Sequence, residues 1–196
     1  MTIEQTVTVT RRKLTRMYDR YAREVLDGYF EEDDTDEKVL IVIKELPPAE
    51  VYQKMRDEHF TDTVANLVAR ASQKFQELAD ELRDWYENLP ENFQMGEKAM
   101  RLEEAADALE QLEMPDVPES VANLAVLFLP ERRSSSRSGR RDEATSILEH
   151  VQGAVRESQG ENDGEVIDEK TELGSFLGEL EGAILHAGNV EFPGMY

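Results

Sequence analysis

Apolar residues recur at intervals of three and four positions through much of the chain, which is the spacing of one face of an α-helix. The longest stripe runs from residue 64 to residue 89 and has the a/d pattern of a heptad repeat. Its members are Val64, Val68, Ala71, Phe75, Leu78, Leu82, Trp85 and Leu89. After Pro90 and Gly96, a second stripe follows through Leu102, Ala105, Leu109 and Leu112. Two helices with a short connection pack antiparallel, so the sequence predicts a helical hairpin over residues 61–113.

Two stretches near the N-terminus have the pattern of β-strands instead. Ile3, Val7 and Val9 alternate with polar residues, and residues 38–44 are rich in β-branched side chains. Further helices are predicted over residues 11–26, over residues 49–58 and, as a short buried helix, over the apolar residues 118–129. The predicted fold class is mainly α, an antiparallel helical hairpin or bundle with one or two short β-strands near the N-terminus.

The last third of the chain begins with a change of composition. Residues 131–141 contain no apolar residue, which predicts a linker or an exposed loop rich in Arg and Ser. The expected organisation is a helical domain over residues 1–130, this linker, and a C-terminal helical pair over residues 142–196 that packs back on the domain. One side of the last helix carries three glycines: Gly174, Gly178 and Gly182. Each costs about 1 kcal/mol relative to Ala, which predicts either the close approach of a neighbouring helix or a marginal, frayed helix.

Composition removes several classes of protein. The chain has no cysteine, which excludes disulfide frameworks, thiolate zinc sites and cysteine nucleophiles. No apolar run reaches the roughly 20 residues of a membrane-spanning helix, and the first residues lack the pattern of a signal peptide. The sequence therefore predicts a soluble, cytoplasmic protein without a membrane partner.

The charge balance is strongly acidic. There are 43 acidic residues against 22 Lys and Arg, which gives a formal net charge of −21. Three interpretations stay open: adaptation to a salt-rich cytoplasm, mimicry of nucleic acid by a rigid array of carboxylates, and solvated faces of helices.

The segment 81–110 reads ELRDWYENLPENFQMGEKAMRLEEAADALE, and FPGM follows near the C-terminus at residues 192–195. These two segments resemble uncharacterised acidic helical proteins encoded by tailed bacteriophages. The resemblance covers about a sixth of the chain in its stronger part. It implies a viral origin, with the cytoplasm of the host cell as the location, and it implies no activity.

Residues that could carry catalysis are sparse. The three histidines, His59, His150 and His186, fall in different predicted elements and in no metal-ligand spacing, and no phosphate-binding loop or nucleophile elbow occurs. Ser134, Ser135 and Ser136 have no histidine near them in sequence to activate a hydroxyl. The sequence therefore predicts a protein that is not an enzyme, with no catalytic residue, no metal and no cofactor.

Two basic clusters stand out against the acidic background. Arg12, Arg16, Arg20 and Arg23 form a stripe on the predicted first helix, where guanidinium groups could bind the phosphates of a nucleotide or a nucleic acid. The same stripe could instead pair with acidic helices of its own fold. The second cluster belongs to the predicted linker and consists of Arg132, Arg133, Arg137, Arg140 and Arg141. It is typical of a solvated linker, of transient contact with nucleic acid, or of a phosphorylated segment.

The leading hypothesis is an acidic helical interaction protein that binds and modulates a partner protein. Trp85, Tyr86 and Phe93, near the tip of the predicted hairpin, are the candidate contact residues, unless packing of the tip explains them. The heptad stripe is either an intramolecular core or the seam of a homodimer; in the second case Phe75→Glu should give a helical monomer. The alternatives are a phosphate-ligand binder that uses the N-terminal Arg stripe, and a DNA-mimic inhibitor.

Overall fold

The computed structural model describes residues 5–9, 21, 24, 39–43, 49–130, 136–159 and 171–193. In this part of the chain there are seven helices and four short strands, which confirms the predicted mainly α fold class. The chain divides into two compact units, Met1–Thr61 and Asp62–Tyr196. The division therefore falls before the hairpin, whereas the sequence placed it at residues 131–141.

The first unit contains the two predicted strands. Strand β1 (Gln5–Val9) pairs antiparallel with β2 (Val39–Ile43), in a register that sets Gln5 opposite Ile43 and Val9 opposite Val39. Both strands are rich in β-branched residues, which favour extended backbone. Helix α1 (Ala49–His59) follows as predicted and buries Tyr52. The predicted helix over residues 11–26 lies outside the described residues, apart from Tyr21 and Glu24.

The second unit is built around the predicted hairpin. Strand β3 (Thr61–Thr63) leads into helix α2 (Val64–Glu87), whose first turn is capped by the Thr63 hydroxyl, 3.2 Å from the amide nitrogen of Asn66. A short helix α3 (Glu91–Gln94) forms the tip, and α4 (Glu97–Glu110) returns along α2. The hairpin prediction is thus confirmed, with bounds that match the two apolar stripes.

The apolar stretch 118–129 differs from its prediction as one buried helix. Only one helical turn forms, α5 (Glu119–Ala122), and a strand β4 (Ala125–Leu127) follows and pairs with β3. Val126 and Phe128 are buried while Ala125 and Leu127 are exposed, which is the alternation of a strand. The backbone explains the change, because the Val64 amide donates to the Leu124 carbonyl at 3.0 Å and β3 supplies a pairing partner.

Two further helices complete the unit, α6 (Arg137–Ser158) and α7 (Glu172–Gly188). Each begins at a hydroxyl cap: Ser136 accepts from the Gly139 amide at 3.1 Å, and Thr171 from the Gly174 amide at 3.0 Å. The expectation of a linker over residues 131–141 is therefore wrong for residues 136–141, which cap and begin a long helix. Residues 131–135 lie outside the described part.

The core lies where α2 packs against α4 on one side and α6 on the other, with α7 packed mainly against α6. From Val64 to Leu82, the heptad stripe is 0–5% exposed within the single chain, while Trp85 and Leu89 are partly buried. The stripe is thus an intramolecular core, and a homodimer seam along it would have to displace these contacts.

Two of the three glycines on the α7 stripe, Gly178 and Gly182, do not accommodate a neighbouring helix, whereas Gly174 is buried. A Cβ built on Gly178 or Gly182 would meet nothing within 4 Å, because both positions face open space. The expectation of close helix approach is therefore wrong at these two positions. Among the described residues, no helix is both long enough and apolar enough to span a membrane.

Candidate functional site: the hairpin tip

Three large apolar side chains at the tip of the hairpin are more than half exposed. In the described part of the second unit, Leu185 is the one other large apolar side chain exposed to this extent. Phe93 is 60% exposed, Met95 is 91% exposed and Met100 is 56% exposed. These three residues, here called the apolar trio, fall within eight consecutive positions, on α3, on the turn that follows it and on the first turns of α4. Scattered apolar residues are normal on a protein surface, but a cluster of large ones indicates a contact site.

The backbone of the tip is held by its own hydrogen bonds. Pro90 begins α3, and the amides of Phe93 and Gln94 donate to its carbonyl at 2.7 Å and 3.3 Å. The Gly96 amide then donates to the Phe93 carbonyl at 3.0 Å. A Cβ on Gly96 would lie 3.1 Å from that same oxygen, so the tight turn favours glycine there. The trio is therefore presented on an ordered turn.

Trp85 and Tyr86, two of the three predicted contact residues, are partly buried at the end of α2. The guanidinium carbon of Arg137 lies 4.3 Å from the centre of the Trp85 ring, and the ammonium of Lys98 lies 5.0 Å from it. Cations at this range interact favourably with an indole face. Trp85 thus joins the start of α6 to the hairpin, whereas Phe93 is the predicted contact residue that lies mainly in solvent.

Several carboxylates precede the trio along the chain, at the end of α2 and the start of α3. Asp84, Glu87 and Glu91, here called the carboxylate collar, are exposed and form no ion pair within the described part of the chain. Glu97 is also exposed, but it pairs with Arg101 at 2.6 Å. The basic side chains of this region also have contacts within the fold, because Lys98 lies over the Trp85 ring and Arg83 pairs with Glu110 and Asp107. The tip consequently combines apolar surface with uncompensated negative charge.

Two arginine clamps hold the region below the tip. Arg83 of α2 forms a bidentate pair with Glu110 of α4, with nitrogen–oxygen distances of 2.8 Å. The hydrogen bonds from Arg83 keep the pKa of the Glu110 carboxyl below its usual value. On the other side of α2, Glu81 binds Arg140 and, at 2.8 Å, Arg137. Burial alone would raise the pKa of Glu81, but the hydrogen bonds from these two arginines outweigh it and lower the pKa.

The second basic cluster is thereby largely part of the fold. Besides Arg137 and Arg140, Arg141 donates to the Val190 carbonyl at 2.6 Å and lies 5.6 Å from the centre of the Phe192 ring. Arg132 and Arg133 lie outside the described residues. The same holds for the whole N-terminal stripe, Arg12, Arg16, Arg20 and Arg23, so its predicted phosphate-binding role stays a prediction.

The three histidines belong to other elements than the tip. His59 ends α1 beside the Phe60 ring, and His150 of α6 contacts the Phe128 ring edge-on at 5.1 Å. His186 lies on a groove of about 460 Å³ between residues 111–116 and α7, which also contains three carboxylates. Within the described ranges, no group of three or more potential metal ligands comes together.

Sequence reasoning missed Met95 and Met100 as members of the surface. The available signal was their position: both lie off the a/d stripes, in a segment whose other residues, apart from Pro90, Phe93 and Ala99, are charged, polar or glycine. An apolar residue that does not fit the periodic core pattern next to a tight turn has no predicted partner inside the fold. That reasoning selects Phe93 and Met95 as exposed residues and leaves Trp85 packed against the core.

Comparisons of the chain with models of protein families, with curated proteins and with solved structures find no match.

Proposed function

We propose that this chain is a non-enzymatic interaction protein that binds and modulates a partner protein through the tip of its helical hairpin. The observation that carries the proposal is the exposure of the apolar trio at 56–91% on an ordered turn. Fully burying a large apolar side chain contributes about 1.5–3 kcal/mol, so covering the trio would provide a substantial part of a micromolar affinity.

The construction of the hairpin supports a binding role. The two long helices below the tip, α2 and α4, are here called the shaft. A continuous core and the two arginine clamps fix the shaft, so the trio projects from a rigid base. A rigid base lowers the entropy lost on association, because few groups have to be ordered when the partner binds. The acidic surface elsewhere keeps the chain from associating with copies of itself, since the formal net charge is −21.

The origin and the alternatives are not equally supported. A bacteriophage origin follows from the resemblance alone and stays part of the proposal, and with it the cytoplasm of the host cell. The phosphate-ligand alternative depends on the N-terminal Arg stripe, for which the described residues offer no observation. DNA mimicry would use the acidic surface in general and gives no reason for the exposed apolar trio, so the tip favours a protein partner.

Site-specific photocrosslinking in the cells that produce the protein tests the proposal. Benzoylphenylalanine in place of Met95 should give one defined crosslinked protein, because this side chain is the most exposed of the trio. The matched control carries the same group in place of Gln73, an exposed position in the middle of α2. Identical products from both positions, or none from position 95, would contradict the proposal.

A further inference from the structure

We infer that the hairpin tip recognises a basic amphipathic helix of its partner, an inference that rests on the proposed function and names the chemistry of the partner. Three properties of the tip lead to it: the sign of its unpaired charge, the state of its backbone, and the kind of apolar side chain that it exposes.

The charge of the tip indicates the charge of the partner segment. The carboxylate collar, Asp84, Glu87 and Glu91, has no ion pair in the part of the chain that the structure describes, while the basic side chains beside it are already engaged. A partner that brings Lys or Arg therefore meets anions that are free to pair with it. An acidic partner or a nucleic acid would be repelled by these three carboxylates. The complementary segment is positively charged.

The backbone of the tip indicates the conformation of the partner segment. A partner strand can add to a protein only where unpaired amides and carbonyls form an edge. The tip offers no such edge, since the amides of Phe93, Gln94 and Gly96 donate within the tip itself, and those of Ala99 and Met100 donate to the Gly96 carbonyl. Recognition must consequently use side chains. A helix presents its side chains on one face without needing backbone partners, with apolar residues at spacings of three and four.

The apolar trio is the third property that indicates the partner segment. Two of its three members are methionines, whose unbranched, polarisable side chains adapt to irregular surfaces and suit the binding of varied helices. The aromatic ring of Phe93, 60% exposed, supplies a larger and stiffer contact. An apolar stripe flanked by Lys or Arg matches a trio flanked by carboxylates. The occupant is therefore one face of a cationic amphipathic helix.

A pair of synthetic peptides tests the inference on the full-length protein. Both have about 18 residues with Leu at helical spacing; the polar positions are Lys in one and Glu in the other. The chain has a single tryptophan, and Trp85 lies next to the tip, so its fluorescence can report binding alongside calorimetry. The Lys peptide should bind with micromolar affinity and lose about tenfold between low and high salt, because salt screens exposed charges. The Glu peptide should bind at least about 100-fold more weakly.

Two sets of variants locate the binding. Asp84→Asn, Glu87→Gln and Glu91→Gln together should weaken the Lys peptide about tenfold, because they remove the collar charge at nearly constant size. The matched control removes three exposed carboxylates of α5 and α6, in Glu119→Gln, Glu149→Gln and Glu157→Gln, and should leave the affinity unchanged. In a separate variant, Phe93→Ser with Met95→Ser should weaken the Lys peptide by at least about tenfold.

The outcomes separate the inference from the proposed function. Equal binding of the two peptides, absence of binding by the Lys peptide, or equal effects of the collar and control variants would overturn the inference. If Met95 still gives its defined crosslink in cells, the tip remains a contact site, but for a partner of other chemistry. If the crosslink is also missing, the proposed function falls with the inference.

Discussion

The shaft and the tip of the same hairpin differ in how far they bury a phenylalanine side chain. In the shaft, Phe75 is 2% exposed and lies in the core between α2, α4 and α6, whereas Phe93 at the tip is 60% exposed. The cover provided by α6 begins at Arg137, which lies against Trp85. At the tip, Phe93, Met95 and Met100 are 56–91% exposed. The contrast shows that apolar character alone does not bury a side chain; a covering element of the right length does.

The largest expected effect is on the shaft. Phe75→Ala should lower the free energy of unfolding by about 3–5 kcal/mol, because it leaves a cavity among close-packed side chains. Denaturant unfolding followed by circular dichroism measures this change. Phe75→Glu would bury a charge at the same place, so it should unfold the unit, and it cannot serve as a test for a dimer seam. A loss below about 1 kcal/mol for Phe75→Ala would show that the shaft is not a close-packed core.

The stabilisation that the Glu81 clamp provides between α2 and the start of α6 should depend on pH. Folding lowers the pKa of Glu81 below its ordinary value of 4.5, so its ion pairs stabilise the fold fully above that value. This stabilisation is lost as the pH falls through the lower pKa of the folded state. Glu81→Gln should therefore cost about 1 kcal/mol at neutral pH, and the difference from the natural chain should shrink towards zero in strong acid. Unfolding of both proteins across this pH range is the measurement, with Glu119→Gln as the exposed control. A difference that does not change with pH would contradict the clamp.

A gain in stability is expected on α7, the helix that packs mainly against α6. Gly178→Ala and Gly182→Ala should each raise the free energy of unfolding by about 0.5–1 kcal/mol, because Ala is the better helix former and the new methyl group meets nothing. Thermal unfolding detects the shift. Gly96→Ala is the control at the tip, where the Cβ would lie 3.1 Å from the Phe93 carbonyl oxygen and no gain is expected. Unchanged or lower melting temperatures for both α7 variants would mean that these positions are not open.

The smallest effect on stability is expected at the tip. Phe93→Ala and Met95→Ala should each change the free energy of unfolding by less than about 0.5 kcal/mol, because both side chains are mostly in solvent already. The same denaturant measurement compares Phe93→Ala directly with Phe75→Ala. A large loss at Phe93 would remove the contrast between shaft and tip, and with it the reason to regard the trio as a binding surface.

The elements that the sequence predicted well are those in which local pattern and tertiary contacts agree. The stripes of the hairpin predicted both of its helices and most of their buried residues, though not Leu67, Ala79, Ala99 and Ala106. The β-branched stretches predicted the first two strands. Prediction was wrong where a segment of the chain far away in sequence decided the local structure. Residues 125–127 form a strand because β3 pairs with them, and residues 137–141 join a helix because Glu81 and the Ser136 cap hold its start. For the candidate site, the sequence identified Phe93 and the tip but not the methionines.

By itself, the sequence determined the helical class, the position of the hairpin and the acidic surface, because these depend on spacing, turn residues and composition, which are local properties of the chain. Only the tertiary structure decided that the heptad stripe is an internal core, that arginines of the predicted linker clamp the fold, and that Gly178 and Gly182 of α7 face open space. It also decided that α6 begins level with Trp85 and leaves the apolar trio uncovered. The physical reason is that burial and charge pairing depend on which segments meet in space, and residues 56 or 59 positions apart, as Glu81 is from Arg137 and Arg140, leave no local pattern of their contact.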